Sequence, residues 1–190
     1  MIRRAKFAGS FYPATAYEII EFIESNFSKN AQKHNAISIM VPHAGYIFSG
    51  KTAISVYSSI NIPEKVVIIG PNHTGVGSPL SIMTEGFWKT PLGDVSIDEE
   101  LARNILSNSK YLKADENAHI NEHSIEVQIP LLLYFNRNFK LVPIVMGNYS
   151  LAAVMDLASA VSKANSKETL VIASSDMSHY VPRRVAKELD

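Results

Sequence analysis

Three apolar runs in this chain end in side chains that could do chemistry. Ile37-Ser-Ile-Met-Val41 leads into Pro42 and His43, and Lys65-Val-Val-Ile-Ile-Gly-Pro71 leads into Asn72 and His73. Thr169-Leu-Val-Ile-Ala173 leads into Ser174, Ser175, Asp176 and then His179. A fourth histidine, His123, sits between Glu122 and Glu126. Imidazole with carboxylate suits zinc, copper, nickel or iron, and two histidines with one carboxylate and open positions suit non-haem iron(II). The other two histidines, His34 and His119, lie in polar context without an adjoining motif and are expected at the surface.

Other chemistries find less support. Ser174 and Ser175 do not sit in a G-x-S-x-G elbow, which argues against a hydrolase nucleophile paired with His179. Gly75-Val-Gly77 lacks the third glycine of a dinucleotide fingerprint, and no P-loop is present. His123-x-x-Glu126 matches half of a di-iron pair, without a second copy elsewhere in the chain.

The elements that must position these residues read as alternating strands and helices. The runs at Val66–Ile69 and Leu170–Ala173 have no polar alternation, as in strands buried on both faces of a parallel sheet. Ligands bind such sheets at the carboxyl ends of the strands, so His43, His73, Asp176 and His179 are expected to converge on one cleft, in loops outside the core. Thr15-x-x-Glu18 is a capping box for a helix with Ala16, Ile19, Ile20, Ile23 and Phe27 on one face. A second helix is expected over Lys51–Ser59, after a loop from Ala44 to Gly50. Short strands are expected near Ser81–Thr84 and Val95–Ile97, with Trp88 as a pocket wall or a structural plug. Asp98 caps a helix whose inner face is Leu101, Ala102, Ile105 and Leu106. Ile125–Phe135 is a further helix that Asn121 or Ser124 could cap and that Pro130 kinks or begins. Leu141–Met146 is a strand in which Pro143 argues for an edge or a bulge. Helices over Leu151–Ala164 and Arg183–Leu189 flank the last strand. The expected fold is α/β, a mainly parallel sheet flanked by helices, with residues 1–190 as one domain.

Composition agrees with a globular chain: 46% of 190 residues are hydrophobic and 19% charged. Eighteen basic and eighteen acidic side chains balance, giving no electrostatic case for nucleic acid or an anionic membrane. No apolar run approaches the roughly 18 residues of a membrane span. The N-terminus lacks the apolar core of a signal peptide, and cysteine is absent. These features point to the cytoplasm.

Six ordered segments carry a resemblance that covers nearly the whole chain: FAGSFYP, VPHAGYIFSG, IIGPNHTG, WKTPLGDVSID, NEHSIEVQIP and SSDMSHY. Together they resemble the Memo-like family, which is similar in fold to the class III extradiol, LigB-type, non-haem iron dioxygenases. The resemblance implies that His43 and His73 are metal ligands. It implies that Asp176 and His179 form a pocket pair and that His123 opens the EHS motif. In the family the chain continues further and the third ligand is a cysteine in that later part. Here the sequence stops at Asp190 inside an expected helix, so the domain is expected to be incomplete at its C-terminus. The third ligand would then be Asp176, His179, water or a residue beyond the chain.

The resulting expectation is a metal-binding protein with a divalent ion, iron(II) first and copper or zinc as alternatives. His43 and His73 hold the metal, and His123, Asp176 and His179 serve as acid, base or support. A small molecule or a peptide would occupy the pocket. The competing reading is a non-enzymatic module that binds a peptide side chain or an anion there. With little chain left after Leu170–Ala173 to cover that strand, self-association into a homo-oligomer is also expected.

Overall fold

A computed structural model describes residues 1–27, 32–164 and 168–190. The chain opens with β1 (Ile2–Arg3), α1 (Ala16–Asn26), β2 (Ser38–Val41), α2 (Tyr46–Ser58) and β3 (Lys65–Pro71). An excursion follows: β4 (Leu80–Ile82), β5 (Phe87–Thr90), β6 (Gly93–Ser96), α3 (Glu99–Ser107), β7 (Lys113–Ala114) and α4 (Asn117–Ile120). The chain closes with α5 (Gln128–Phe135), β8 (Lys140–Met146), α6 (Leu151–Ala164), β9 (Thr169–Ser174) and α7 (Arg183–Leu189).

The main sheet has the order β2-β9-β3-β8-β4-β7, and a small sheet has the order β1-β5-β6. In the main sheet β2, β9, β3 and β8 run parallel, and the β8–β4 pair alone is antiparallel. This is the expected α/β arrangement. From β2 to β3 the chain moves two places across the sheet, and from β8 to β9 it moves two places back. Right-handed crossovers therefore put α2 and α6 on opposite faces. On one face α1, α2 and α5 touch one another, and α3 packs with α6 on the other.

Local chemistry explains most boundaries. Thr15 and Glu18 form the expected reciprocal capping box, and Asp98 accepts from the Leu101 N–H at 3.1 Å. α2 begins at Tyr46, five residues before the expected start, so the stretch expected as loop supplies its first turn. Gly50 tolerates a helical place because α1 crosses close by: a Cβ there would meet a Phe22 ring carbon at 2.7 Å. Pro130 falls in the first turn of α5, where its missing N–H costs nothing, so it marks a start and not a kink. Neither Asn121 nor Ser124 caps that helix; the Ser124 hydroxyl donates instead to the Pro71 carbonyl at 3.0 Å.

Two further expectations fail, for Pro143 and His119. Pro143 lies in an interior strand, with β3 on one side and β4 on the other. Its carbonyl accepts from Met83 N–H at 3.4 Å, just past the end of β4, so the missing N–H falls where that ladder is already ending. Of the two roles expected for Trp88, the structural plug holds and the pocket wall does not: it is buried, with its ring N–H on Met83 Sδ at 3.2 Å and the Arg3 guanidinium 4.5 Å from its ring centre. His119 is fully buried, not a surface residue. On β9, Leu170 and Ile172 are buried while Val171 is half-buried and Ala173 exposed, so one face is covered and the other only in part. α7 buries none of its residues. Among the described residues, no helix is long and apolar enough to cross a membrane.

Candidate metal centre

Three neighbouring parallel strands deliver the site. His43, His73 and Asp176 each stand two residues beyond the last residue of β2, β3 and β9, with β9 between the other two. Adjacent strands lie about 4.8 Å apart, so side chains from three strand ends can reach a common point. The His43 and His73 ring centres are 5.2 Å apart. His123 arrives from elsewhere, the turn between α4 and α5. Its ring stacks on His73 at 4.4 Å and 18° and stands 5.5 Å from His43. Each of these three histidines offers a nitrogen, and those ligand atoms lie within 4.8 Å of one another.

Hydrogen bonds around the rings decide what they can offer. The Ser174 hydroxyl donates to the Ser124 carbonyl at 2.6 Å and accepts from Gln128 Nε2 at 2.9 Å. Its remaining lone pair faces His43 Nδ1 at 3.2 Å, so that nitrogen carries the proton and Nε2 is left with a lone pair. Gln128 is itself held by the Tyr57 hydroxyl at 2.8 Å. His43 is buried, contrary to the open loop position expected for it. Burial lowers its pKa, partly offset by the Asp176 charge, which keeps the ring neutral for a metal. Burial likewise pushes His123 down to about 4.

Two carboxylates support the rings, Glu122 buried and Asp176 partly buried. Glu122 takes the His73 ring at 2.8 Å, the His73 N–H at 2.6 Å and the Ser124 N–H at 2.9 Å. Burial opposes its charge, but these hydrogen bonds outweigh that and hold its pKa below the ordinary value. Asp176 Oδ1 accepts from the His43 and Ala44 N–H groups at 2.6 and 3.1 Å, and its Oδ2 accepts from His179 Nε2 at 3.0 Å. Burial raises the Asp176 pKa, and the His43 ring and these hydrogen bonds lower it further than burial raises it. Glu126 turns away from the site. It pairs with Arg3 and accepts from the Tyr12 hydroxyl at 2.7 Å and from the Lys6 and Phe7 N–H groups. His123-x-x-Glu126 is thus no half of a di-iron site: its two members serve different neighbourhoods.

A cavity of about 350 Å³ opens over the rings. His43, His73, His123, Asp176 and His179 all line it, with Phe11, Phe48 and Tyr180 as aromatic walls. The four residues expected in one cleft are therefore in one cleft. Phe11 closes one side, its ring 4.4 Å from His123. A larger cleft of about 850 Å³, lined by Glu64, Asp98, Glu99 and Lys140, lies at the amino ends of β3 and β8, away from the imidazoles. The donor set fits a borderline divalent ion: three clustered imidazoles with the Glu122 and Asp176 carboxylates beside them. Sequence reasoning missed Glu122, Ser174 and Gln128 as supports; the EHS segment was the one signal that pointed near them.

The Memo-like protein family model matches residues 3–189. A protein of Aquifex aeolicus is 44% identical over 193 residues, covering all of this chain and 72% of its own length. Proteins of Nitrosopumilus maritimus and Methanobrevibacter smithii are 42% and 41% identical, again over all of this chain and over 73% and 74% of their own lengths. Each of these relatives is described as a MEMO1 family protein. With a model match across nearly every residue and relatives of this similarity, the chain belongs to the Memo family.

Proposed function

We propose that this chain is a metal-binding protein whose histidine pocket holds a divalent ion for redox or oxygen chemistry on a small molecule. The observation that supports this most is the meeting of three imidazoles, from two strand ends and one turn, with ligand atoms within 4.8 Å. His43 and His73 are the ligands, as the family resemblance implies, and His123 adds a third imidazole. Iron(II) is the first choice, because a histidine-rich site with open positions suits non-haem iron; copper and zinc are the alternatives. The related fold of the extradiol, LigB-type dioxygenases points the same way. A bound ion would supply Lewis acidity toward an oxygen of the ligand and, as iron, a redox partner. His179 serves as the acid or base: it is half exposed at the cavity rim, and Asp176 holds its Nε2–H, leaving Nδ1 to take or give a proton.

A second reading draws on the exposed rim. Phe48 and Tyr180 stand at the mouth with their rings open to solvent, a surface that suits a peptide side chain bound without chemistry. Metal analysis of protein purified without a tag separates the two. Near-stoichiometric iron, lost in His73→Ala, supports the metal centre. His73 is the cleaner position because its ring is partly exposed, whereas His43→Ala would leave a cavity. Unchanged metal content in a folded His43→Ala, His73→Ala double variant would overturn the ligand assignment.

A further inference from the structure

The carboxylate of Glu122 is buried and makes no contact with solvent that would explain its charge. Each of its oxygens is already engaged: Oε1 by the His73 ring and the Ser124 N–H, Oε2 by the His73 N–H. It therefore has little capacity left to act as a ligand. Oε1 also lies 3.5 Å from His123 Nδ1. One carboxylate thus stands behind two of the three imidazoles, on the side away from the cavity. We propose that Glu122 is the positioning residue of this centre: it fixes His73 as the Nδ1–H tautomer, steadies His123 beside it, and leaves both rings presenting Nε2.

A carboxylate accepts and cannot donate, so the proton on the His73–Glu122 bond belongs to His73 Nδ1 and the lone pair is confined to Nε2. Metal-bound histidines commonly hand their second N–H to such a group, which fixes the ring and raises its basicity. Glu122 also brings charge. Three imidazoles are neutral ligands and leave a dication uncompensated, which is costly away from water. Glu122 behind His73 and His123, with Asp176 Oδ2 at 3.7 Å from His43 Nε2, supplies two negative charges around the ligand set. Ser174 does for His43 only the first of these jobs, because a hydroxyl orients without adding charge.

This inference rests on the metal reading above, so the test has one arm that needs no metal. Long-range proton–nitrogen correlation of the histidine rings in metal-free protein should find His73 as the Nδ1–H tautomer. Finding the Nε2–H tautomer overturns the proposal outright. The second arm measures zinc affinity by chelator competition in the parent chain and in Glu122→Gln, which keeps the shape and removes the charge. Affinity should fall about 10–100-fold, while Ser174→Ala, which removes a neutral partner, should cost less. Equal zinc affinity in parent and Glu122→Gln overturns the charge role. Failure of the parent to bind zinc overturns the metal reading instead, and the tautomer measurement still decides the role of Glu122, even where Glu122→Gln does not fold.

Discussion

At the scale of single residues, burial holds His119 neutral against a charge that the unfolded chain would take up. Its neighbours in sequence, Asn117 and Asn121, are polar and suit a surface position. In the fold it is fully buried behind β4, beside Trp88 and the Arg3 side chain. The Ser81 hydroxyl donates to the Asp115 carbonyl, so the Ser81 oxygen must accept from His119 Nε2–H at 3.3 Å. Nδ1 has no hydrogen-bond partner among the described residues. Burial, with the Arg3 charge adding to it, lowers the His119 pKa to about 3. The unfolded chain takes up this proton near pH 6.5, whereas the folded chain resists it until about pH 3. Below pH 6.5 the unfolded state therefore binds the extra proton, and stability falls as pH falls through that window. The loss should be on the order of a few kcal/mol by pH 4, at about 1.4 kcal/mol per pH unit. His119→Gln, which cannot titrate, should lose less of its urea midpoint between pH 7 and pH 5 than the parent does. Equal losses in the two proteins would remove His119 as the acid-sensitive group. The burial of His119 was not legible because neighbours in sequence say little about what packs from afar: its main partners come from residues 3, 81 and 88.

At the scale of elements, the N-terminal arm shapes the candidate site from outside the main sheet. Residues 3 to 12 have little regular structure beyond β1, yet they wrap one buried carboxylate. Glu126 takes the Arg3 guanidinium, the Tyr12 hydroxyl and the Lys6 and Phe7 N–H groups, and Arg3 also donates to the His119 and Glu122 carbonyls. That knot holds Phe7 and Phe11 against His123. The arm thus forms one wall of the candidate site without giving it a ligand. Glu126→Gln should leave the Arg3 charge buried without its partner and cost about 3–5 kcal/mol, the usual penalty for breaking one side of a buried pair. Native-state hydrogen exchange should then speed up first at Lys6 and Phe7, whose N–H groups lose a charged acceptor. Exchange that quickens evenly over the whole chain would mean that the pair supports global stability and not the docking of the arm. The aromatic anchors in FAGSFYP were visible in the sequence, as was Glu126. Their pairing was not, because the residues that meet are more than a hundred positions apart.

For the whole molecule, the alternation of apolar runs and helical periods was enough to expect an α/β fold and to put His43, His73 and Asp176 at strand ends. Strand order was beyond reach, since no local signal says that β9 inserts between β2 and β3. That insertion is what brings the last strand's carboxylate between the two strand-end histidines, and it leaves β2 at the edge of the sheet. Open sheet edges present unpaired backbone groups and invite pairing with other chains. Along β2 the burial is mixed, and this edge carries two large apolar side chains in the open, Ile37 at 79% and Met40 at 52% exposure. Met40 aligns with Ala173, itself exposed, so the apolar surface continues from the edge onto the face of β9. Exposed apolar surface next to an open edge favours self-pairing. The 190-residue chain should therefore associate with itself as concentration rises, its sedimentation coefficient increasing over the micromolar range. Replacing Ile37→Lys and Met40→Lys together puts charge on that edge and should hold the protein as a monomer, with its unfolding transition little changed because neither side chain is buried. A parent chain that sediments as a monomer at every concentration would show that this edge does not drive association.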